Sequence, residues 1–141
     1  MRRILIPVDD APSALCAVNH ATHAHGNRAV TEVVLLSVQP PLEWGRVRAF
    51  RSEAALQALE YQRAERLLRG PRELLRAGGM RCRIQVCMGD PVASIARVAL
   101  SCGCDAIWLG APRSSWWERF RVAALARRIV GVADVPVALV G

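Results

Sequence analysis

Lysine is absent from the 141-residue sequence, so the formal net charge of +7 comes from arginine alone, set against 12 acidic residues. No uninterrupted run of about 18 apolar residues occurs, which argues against a membrane-spanning helix. The apolar stretch near the start is too short for a secretion signal, because Asp9 and Asp10 end it. The five cysteines lack the paired spacing of a zinc site. We therefore expect a cytoplasmic protein with reduced thiols, no metal and no membrane contact.

The proportions of apolar and charged residues are those of an ordinary globular protein. Apolar residues make up 52% of the sequence and charged residues 22%, which supplies enough apolar side chains for one core in a chain of this length. The sequence contains no internal repeat, linker or low-complexity tract. We predict a single domain over residues 1–141.

Short apolar segments alternate with segments of helical periodicity along the chain. The predicted strands cover residues 3–8, 33–38, 81–86, 105–109 and 135–140. The predicted helices cover residues 12–25 and 52–77, a third segment that begins at Pro91, and residues 116–132. Apolar strands that alternate with helices indicate parallel pairing with right-handed crossovers. The pattern therefore predicts a three-layer α/β/α sandwich around a five-stranded parallel sheet.

Single residues predict further details of the helices. Asp90 is placed to cap the third helix, with Pro91 in its first turn. Gly70 and Pro71 predict a kink or a break in the long helix. The expected inner positions are Leu56, Leu59, Leu67 and Leu74 in the long helix, and Val122, Leu125, Ile129 and Val132 in the last one.

A ligand pocket is expected where the strand order reverses, beyond the carboxyl ends of the strands. In the common five-stranded arrangements the first and fourth strands are neighbours there, so residues 8–10 and the loop at 110–115 would frame the pocket. Two adjacent carboxylates replace the glycine-rich turn of a dinucleotide oxidoreductase, so we do not expect that activity. The Asp9 carboxylate is the better candidate to bind a ribose hydroxyl or a base amine, whereas Asp10 is expected to be an exposed turn residue or to cap a helix.

Four segments together resemble the universal stress protein family, and the resemblance covers the whole chain. They are residues 4–9 (ILIPVD), 89–91 (GDP), 105–110 (DAIWLG) and 133–140 (ADVPVALV). The resemblance implies the strand order 3-2-1-4-5 of the universal stress protein-like (adenine nucleotide alpha hydrolase-like) fold and frequent homodimers. In one branch of the family it implies an ATP site with the pattern G-x2-G-x9-G-[ST].

Only one of the four defined positions in that pattern is kept here. Gly110 matches the first glycine, whereas Arg113, Ala123 and Ala124 stand at the other three positions. Glycines there let backbone amides approach phosphate oxygens. Two interpretations of Arg113 stay open: its guanidinium reaches a phosphate in place of the lost amides, or it faces solvent. The candidate nucleotide pocket comprises Asp9, Val38, Gly110, Arg113, Ala123 and Ala124.

Three sequence features bear on partners. The strand at 136–140 should lie at a sheet edge without a charge to prevent pairing, which predicts a homodimer through this strand. Trp117 is expected to pack in the core, and Trp116 to lie in an exposed contact patch. Glutamates interrupt the arginine stripe of the long helix, so we expect a solvated face there and not a nucleic-acid partner. The stripe consists of Arg63, Arg66, Arg69 and Arg72.

The preferred function is that of a non-enzymatic stress-response or regulatory homodimer with weakened or absent ATP binding, no cofactor and a regulatory protein as a further partner. The alternative is an ATP- or AMP-binding member that acts as a nucleotide-dependent switch.

Overall fold

The computed structural model describes residues 2–9, 13–26, 29–39 and 53–141. Within these ranges it contains five strands and four helices. The strands are β1 (Arg3–Pro7), β2 (Glu32–Gln39), β3 (Arg81–Met88), β4 (Ala106–Gly110) and β5 (Val137–Val140). The helices are α1 (Ser13–Gly26), α2 (Glu53–Ala77), α3 (Pro91–Ser101) and α4 (Trp116–Val130).

The five strands form one parallel sheet in the order β3-β2-β1-β4-β5, which confirms the predicted order. Strand β1 is central, with Leu5 opposite Val34 of β2 on one side and Ile107 of β4 on the other. Strands β3 and β5 are the two edges, as the sequence predicts. Reversal of the strand order between β1 and β4 opens a crevice at their carboxyl ends.

Helices cover both faces of the sheet and create two apolar cores. Ile4 and Ile6 of β1 point to the core that α1 and α2 cover, whereas Leu5 points to the core that α3 and α4 cover. This alternation follows from the two-residue period of a strand. Both faces of β1 are therefore buried, which explains its continuous apolar run.

Helix α2 passes through Pro71 without a break, so of the two predicted outcomes the break is wrong and the kink stays a prediction. A proline normally drives the preceding residue out of the helical region, in part through a clash with its Cβ. The preceding residue here is Gly70, which has no Cβ and therefore stays helical.

The predicted inner face of α2 is wrong at two of its four positions. Leu59 and Leu74 are exposed and Leu67 is half-buried, while the side chain of Leu56 lies outside the described residues. Leucines occur in adjacent pairs at 67–68 and 74–75, so leucine positions alone do not decide which member of each pair faces the sheet. The buried stripe consists of Glu60, Ala64, Leu68, Pro71 and Leu75.

Helix α4 begins beyond a cap, because the Ser115 hydroxyl accepts the Glu118 backbone N–H at 3.2 Å. The prediction that Trp117 packs in the core is wrong, because Trp117 and Phe120 are both 64% exposed. Phe120 precedes the buried Val122 by two residues, which places it about 200° round the helix from the inner face. Of the other predicted inner positions, Ile129 is buried, Leu125 is half-buried, and Val132 is exposed beyond the end of the helix.

Candidate functional site

A cleft of about 420 Å³ lies at the carboxyl ends of β1, β2 and β4. Its volume is within the range of small-molecule sites. Helix α3 contributes one wall of the cleft. Asp90 caps this helix, as predicted, because its carboxylate accepts the Ala93 backbone N–H at 3.0 Å. The cap fixes where the wall begins. The apolar lining includes Val8, Leu36, Ile95, Leu109, Val122 and Leu125.

Four of the six predicted site residues line this cleft. Asp9 follows β1, Val38 lies near the end of β2, Gly110 ends β4, and Ala124 lies on the facing side of α4. Asp9, Val38 and Gly110 come together because the carboxyl ends of parallel strands meet at one edge of a sheet.

The structure does not bring the other two predicted residues into the cleft. Arg113 and Ala123 line a second cavity of about 510 Å³, between α4 and the end of β5. Ala123 and Ala124 point to different cavities because consecutive helical residues project about 100° apart. Arg113 is exposed, and its side chain lies against Gly141 instead of beside Asp9.

The helical position of Ala123 and Ala124 also limits what their backbone can bind. Only the first four amides of an α-helix lack an intrahelical partner. Helix α4 begins at Trp116, so both alanines lie beyond its first turn and their amides are used inside the helix. These two residues therefore cannot present free amides to a phosphate group.

An ion-pair chain crosses the cleft. Arg121 Nη1 lies 3.6 Å from Asp9 Oδ2, and Arg121 Nη2 donates to Glu118 Oε2 at 2.9 Å. The hydrogen bond to Glu118 is the main cause that raises the pKa of Arg121, and Asp9 adds to it. The Asp9 and Arg121 side chains are both about half exposed, so their pairing stabilises the fold by no more than about 1 kcal/mol. A ligand hydroxyl could therefore replace Arg121 at Asp9 at little cost.

Gly110 is required by packing at the mouth of the cleft. A Cβ at this position would overlap the backbone carbonyl of Ser13 and would lie 3.3 Å from the backbone nitrogen of Ala17. The first turn of α1 thus rests directly on the end of β4. The structure supplies a steric reason for this glycine that does not involve phosphate.

Sequence reasoning missed two arginines of the cleft. Arg121 and Arg128 both line it from α4. They are seven residues apart, with Ala124 and Leu125 between them on the same face, and this helical spacing is the signal that could have identified them. Arg128 forms no ion pair with any residue that the structure describes.

The described ranges contain neither a cluster of metal ligands nor a membrane-spanning helix. No group of three or more histidine, cysteine or acidic side chains is arranged to hold a metal ion there. No helix in these ranges combines the length and the apolar character needed to cross a bilayer. Cys102 and Cys104 are buried free thiols, and burial is the main cause that raises the pKa of Cys104 to about 11.

The sheet order and the position of this cleft define an α/β protein with a crevice at a strand-order reversal. The model of the universal stress protein family matches residues 1–141, and the chain belongs to that family.

Several solved structures share this fold. The hypothetical protein MJ0577 is 23% identical with a TM-score of 0.77, covering 99% of this chain and 94% of that chain. A universal stress protein of Archaeoglobus fulgidus in complex with dAMP is 19% identical with a TM-score of 0.69, covering 100% and 98%. A universal stress protein family protein of Arabidopsis thaliana with AMP bound is 15% identical with a TM-score of 0.66, covering 99% and 91%. No curated protein matches the chain significantly.

Proposed function

We propose that this chain is a non-enzymatic stress-response or regulatory protein that acts by binding, and that its cleft holds ATP weakly or not at all. The observation that carries this proposal is the location of the degenerate phosphate pattern. Arg113 lies outside the cleft, and the amides of Ala123 and Ala124 are used within α4. A triphosphate would therefore lack the backbone cradle that the pattern provides in the ATP-binding branch.

A second candidate is a switch operated by a nucleoside monophosphate such as AMP. Asp9 is placed to accept a hydroxyl or an amine, and Arg128 lies in the same cleft without an ion-pair partner in the described part of the chain. One arginine fork can hold a single phosphate group without a glycine loop. Two proteins of similar fold have structures with dAMP and with AMP bound, and this likeness in fold supports the candidate.

Isothermal titration with ATP and AMP tests both candidates. We expect ATP to bind with a Kd of about 1 mM or weaker. Micromolar ATP binding would contradict the first candidate. Micromolar AMP binding that Arg128→Ala weakens at least about tenfold would favour the second. Arg113→Ala is the matched control, because it removes the same charge outside the cleft.

We further propose a homodimer formed through the β5 edge. The carbonyls of Pro136 and Val140 accept hydrogen bonds from Ile107 and Ala111, on the β4 side. Because peptide groups alternate in direction along a strand, the N–H and C=O groups of Val137 and Leu139 point towards the open edge. This edge carries no charged residue to oppose pairing.

Sedimentation velocity at tens of micromolar tests the homodimer. We expect a dimer for the wild type and a monomer for Leu139→Pro, because proline removes an outward donor while leaving the ladder with β4 intact. Leu139→Ala is the control that shortens the side chain but keeps the N–H. A monomeric wild type would overturn this proposal.

A further inference from the structure

Three large aromatic side chains are exposed at the start of α4. Trp116 is 72% exposed, and Trp117 and Phe120 are each 64% exposed. The rings form one cluster, with centroids 5.4 Å apart between Trp116 and Trp117, and 6.3 Å apart between Trp117 and Phe120. A soluble protein rarely leaves such a cluster uncovered without a binding role.

Unpaired cations accompany these rings. Arg113, Trp116, Arg119 and Phe120 all line the 510 Å³ cavity beside β5. Neither arginine forms an ion pair with a residue that the structure describes. The rest of the cavity lining has no acidic side chain and consists of Ala111, Ala123, Leu139, Val140 and Gly141. We call Arg113, Trp116, Trp117, Arg119 and Phe120 the aromatic–arginine surface.

We propose that the aromatic–arginine surface binds single-stranded nucleic acid. Exposed aromatic faces stack with unpaired bases of any sequence, and nearby arginines hold the phosphates between them. Three clustered rings exceed what one base requires, so the surface fits two or three successive nucleotides. A regular duplex hides its base faces and would use only the arginines.

The arrangement of charge argues against a second copy of this chain as the occupant. Two copies that met face to face here would bring together Arg113 and Arg119 of each without an acidic partner. Glu118 is near this surface in the sequence but is hydrogen-bonded to Arg121 on the cleft side. An anionic partner with planar groups therefore fits better than self-association.

The exposure of Trp117 and Phe120 bears on the sequence-based expectation that nucleic acid is not a partner. That expectation rested on the arginine stripe of α2, whose field is interrupted by glutamates. Four of the five residues of the aromatic–arginine surface lie on α4, Arg113 lies just before that helix, and none of the five is acidic. It also agrees with a net charge of +7 carried entirely by arginine.

Fluorescence anisotropy with a labelled oligothymidylate of about ten nucleotides tests the proposal. We expect a Kd of about 1–100 µM at physiological salt, and weaker binding to a duplex of the same length. Trp116→Ala and Phe120→Ala should each weaken binding about fivefold or more without changing its salt dependence. Arg113→Ala and Arg119→Ala should each lower the slope of log affinity against log salt by about 0.7.

Matched controls remove the same groups elsewhere. Tyr61→Ala removes an exposed ring from α2, and Arg97→Ala removes an exposed charge from α3. Equal losses in these controls would overturn the proposal, as would polyglutamate that binds as tightly as the oligonucleotide. If Trp116→Ala abolishes a dimer and the wild type binds no oligonucleotide, the surface is an interface between copies and the proposal fails, whatever the cleft binds.

Discussion

Gly110→Ala should lower the free energy of unfolding by about 3 kcal/mol. The added methyl group would overlap the Ser13 carbonyl, which is backbone at the start of α1 and cannot move aside as a side chain could. Relief requires α1 to shift away from β4, which would open packing between the helix and the sheet. Urea unfolding followed by circular dichroism measures the loss.

Gly131→Ala is the matched control for this effect. Gly131 has φ −66° and ψ −18°, which any residue adopts, and a Cβ there would meet only ordinary van der Waals contacts. We expect a change within about 0.5 kcal/mol. If Gly110→Ala were as mild as this control, α1 would not rest on β4 as closely as the structure has it.

This prediction also separates two roles of Gly110. As part of a phosphate loop, the glycine would matter for ligand affinity and little for the stability of the free protein. As a packing position, it would matter for stability without any nucleotide. Unfolding of the ligand-free protein therefore distinguishes the two roles before binding is measured.

The sheet could be predicted from sequence because its determinants are local. Continuous apolar runs define buried parallel strands, and Asp90 with Pro91 defines a helix start through groups within one turn. The place of the cleft followed from the common five-stranded arrangements, in which β1 and β4 are neighbours, and from the strand order that the family resemblance implies. For this reason the structure places three predicted residues in the cleft: Asp9, Val38 and Gly110.

The faces of the helices could not be predicted as well, because they depend on how each helix rotates against the sheet. A rotation by one residue decides between Leu67 and Leu68 in α2, and the periodicity of leucine allows either. The same uncertainty about the rotation of α4 explains why Trp117 was predicted to lie in the core. It also explains why Arg121 and Arg128 were not predicted to line the cleft. Both of the surfaces for which we propose binding thus depend on the rotation of α4, which only the structure supplies.

Glu60 provides the second large effect, a gain in stability that depends on pH. Glu60 lies in the buried stripe of α2, only 3% exposed, and neither carboxylate oxygen has a hydrogen-bond partner among the described residues. Burial is the main cause that raises the pKa of Glu60, and the nearby Arg63 partly opposes it. A buried charge without partners destabilises the folded state.

The sign of the pH effect follows from this raised pKa. In the unfolded chain Glu60 should ionise with a pKa of about 4.3. Between that value and the higher folded pKa, the folded state binds more protons, so the stability that Glu60 contributes falls as pH rises. Below about pH 4 the carboxyl is protonated in both states and the penalty disappears.

Glu60→Gln should therefore stabilise the protein at about pH 7.5, and stabilise it less at about pH 4. The two side chains have nearly the same shape, so the difference between the two pH values isolates the cost of the charge. Glu73→Gln is the control, because Glu73 is exposed on the same helix, and its effect should stay within about 0.5 kcal/mol at both pH values. Urea unfolding of both variants at each pH measures these differences. A gain from Glu60→Gln that is equal at the two pH values, or larger in acid, would mean that the Glu60 carboxylate is stabilised in the fold by contacts that offset its burial.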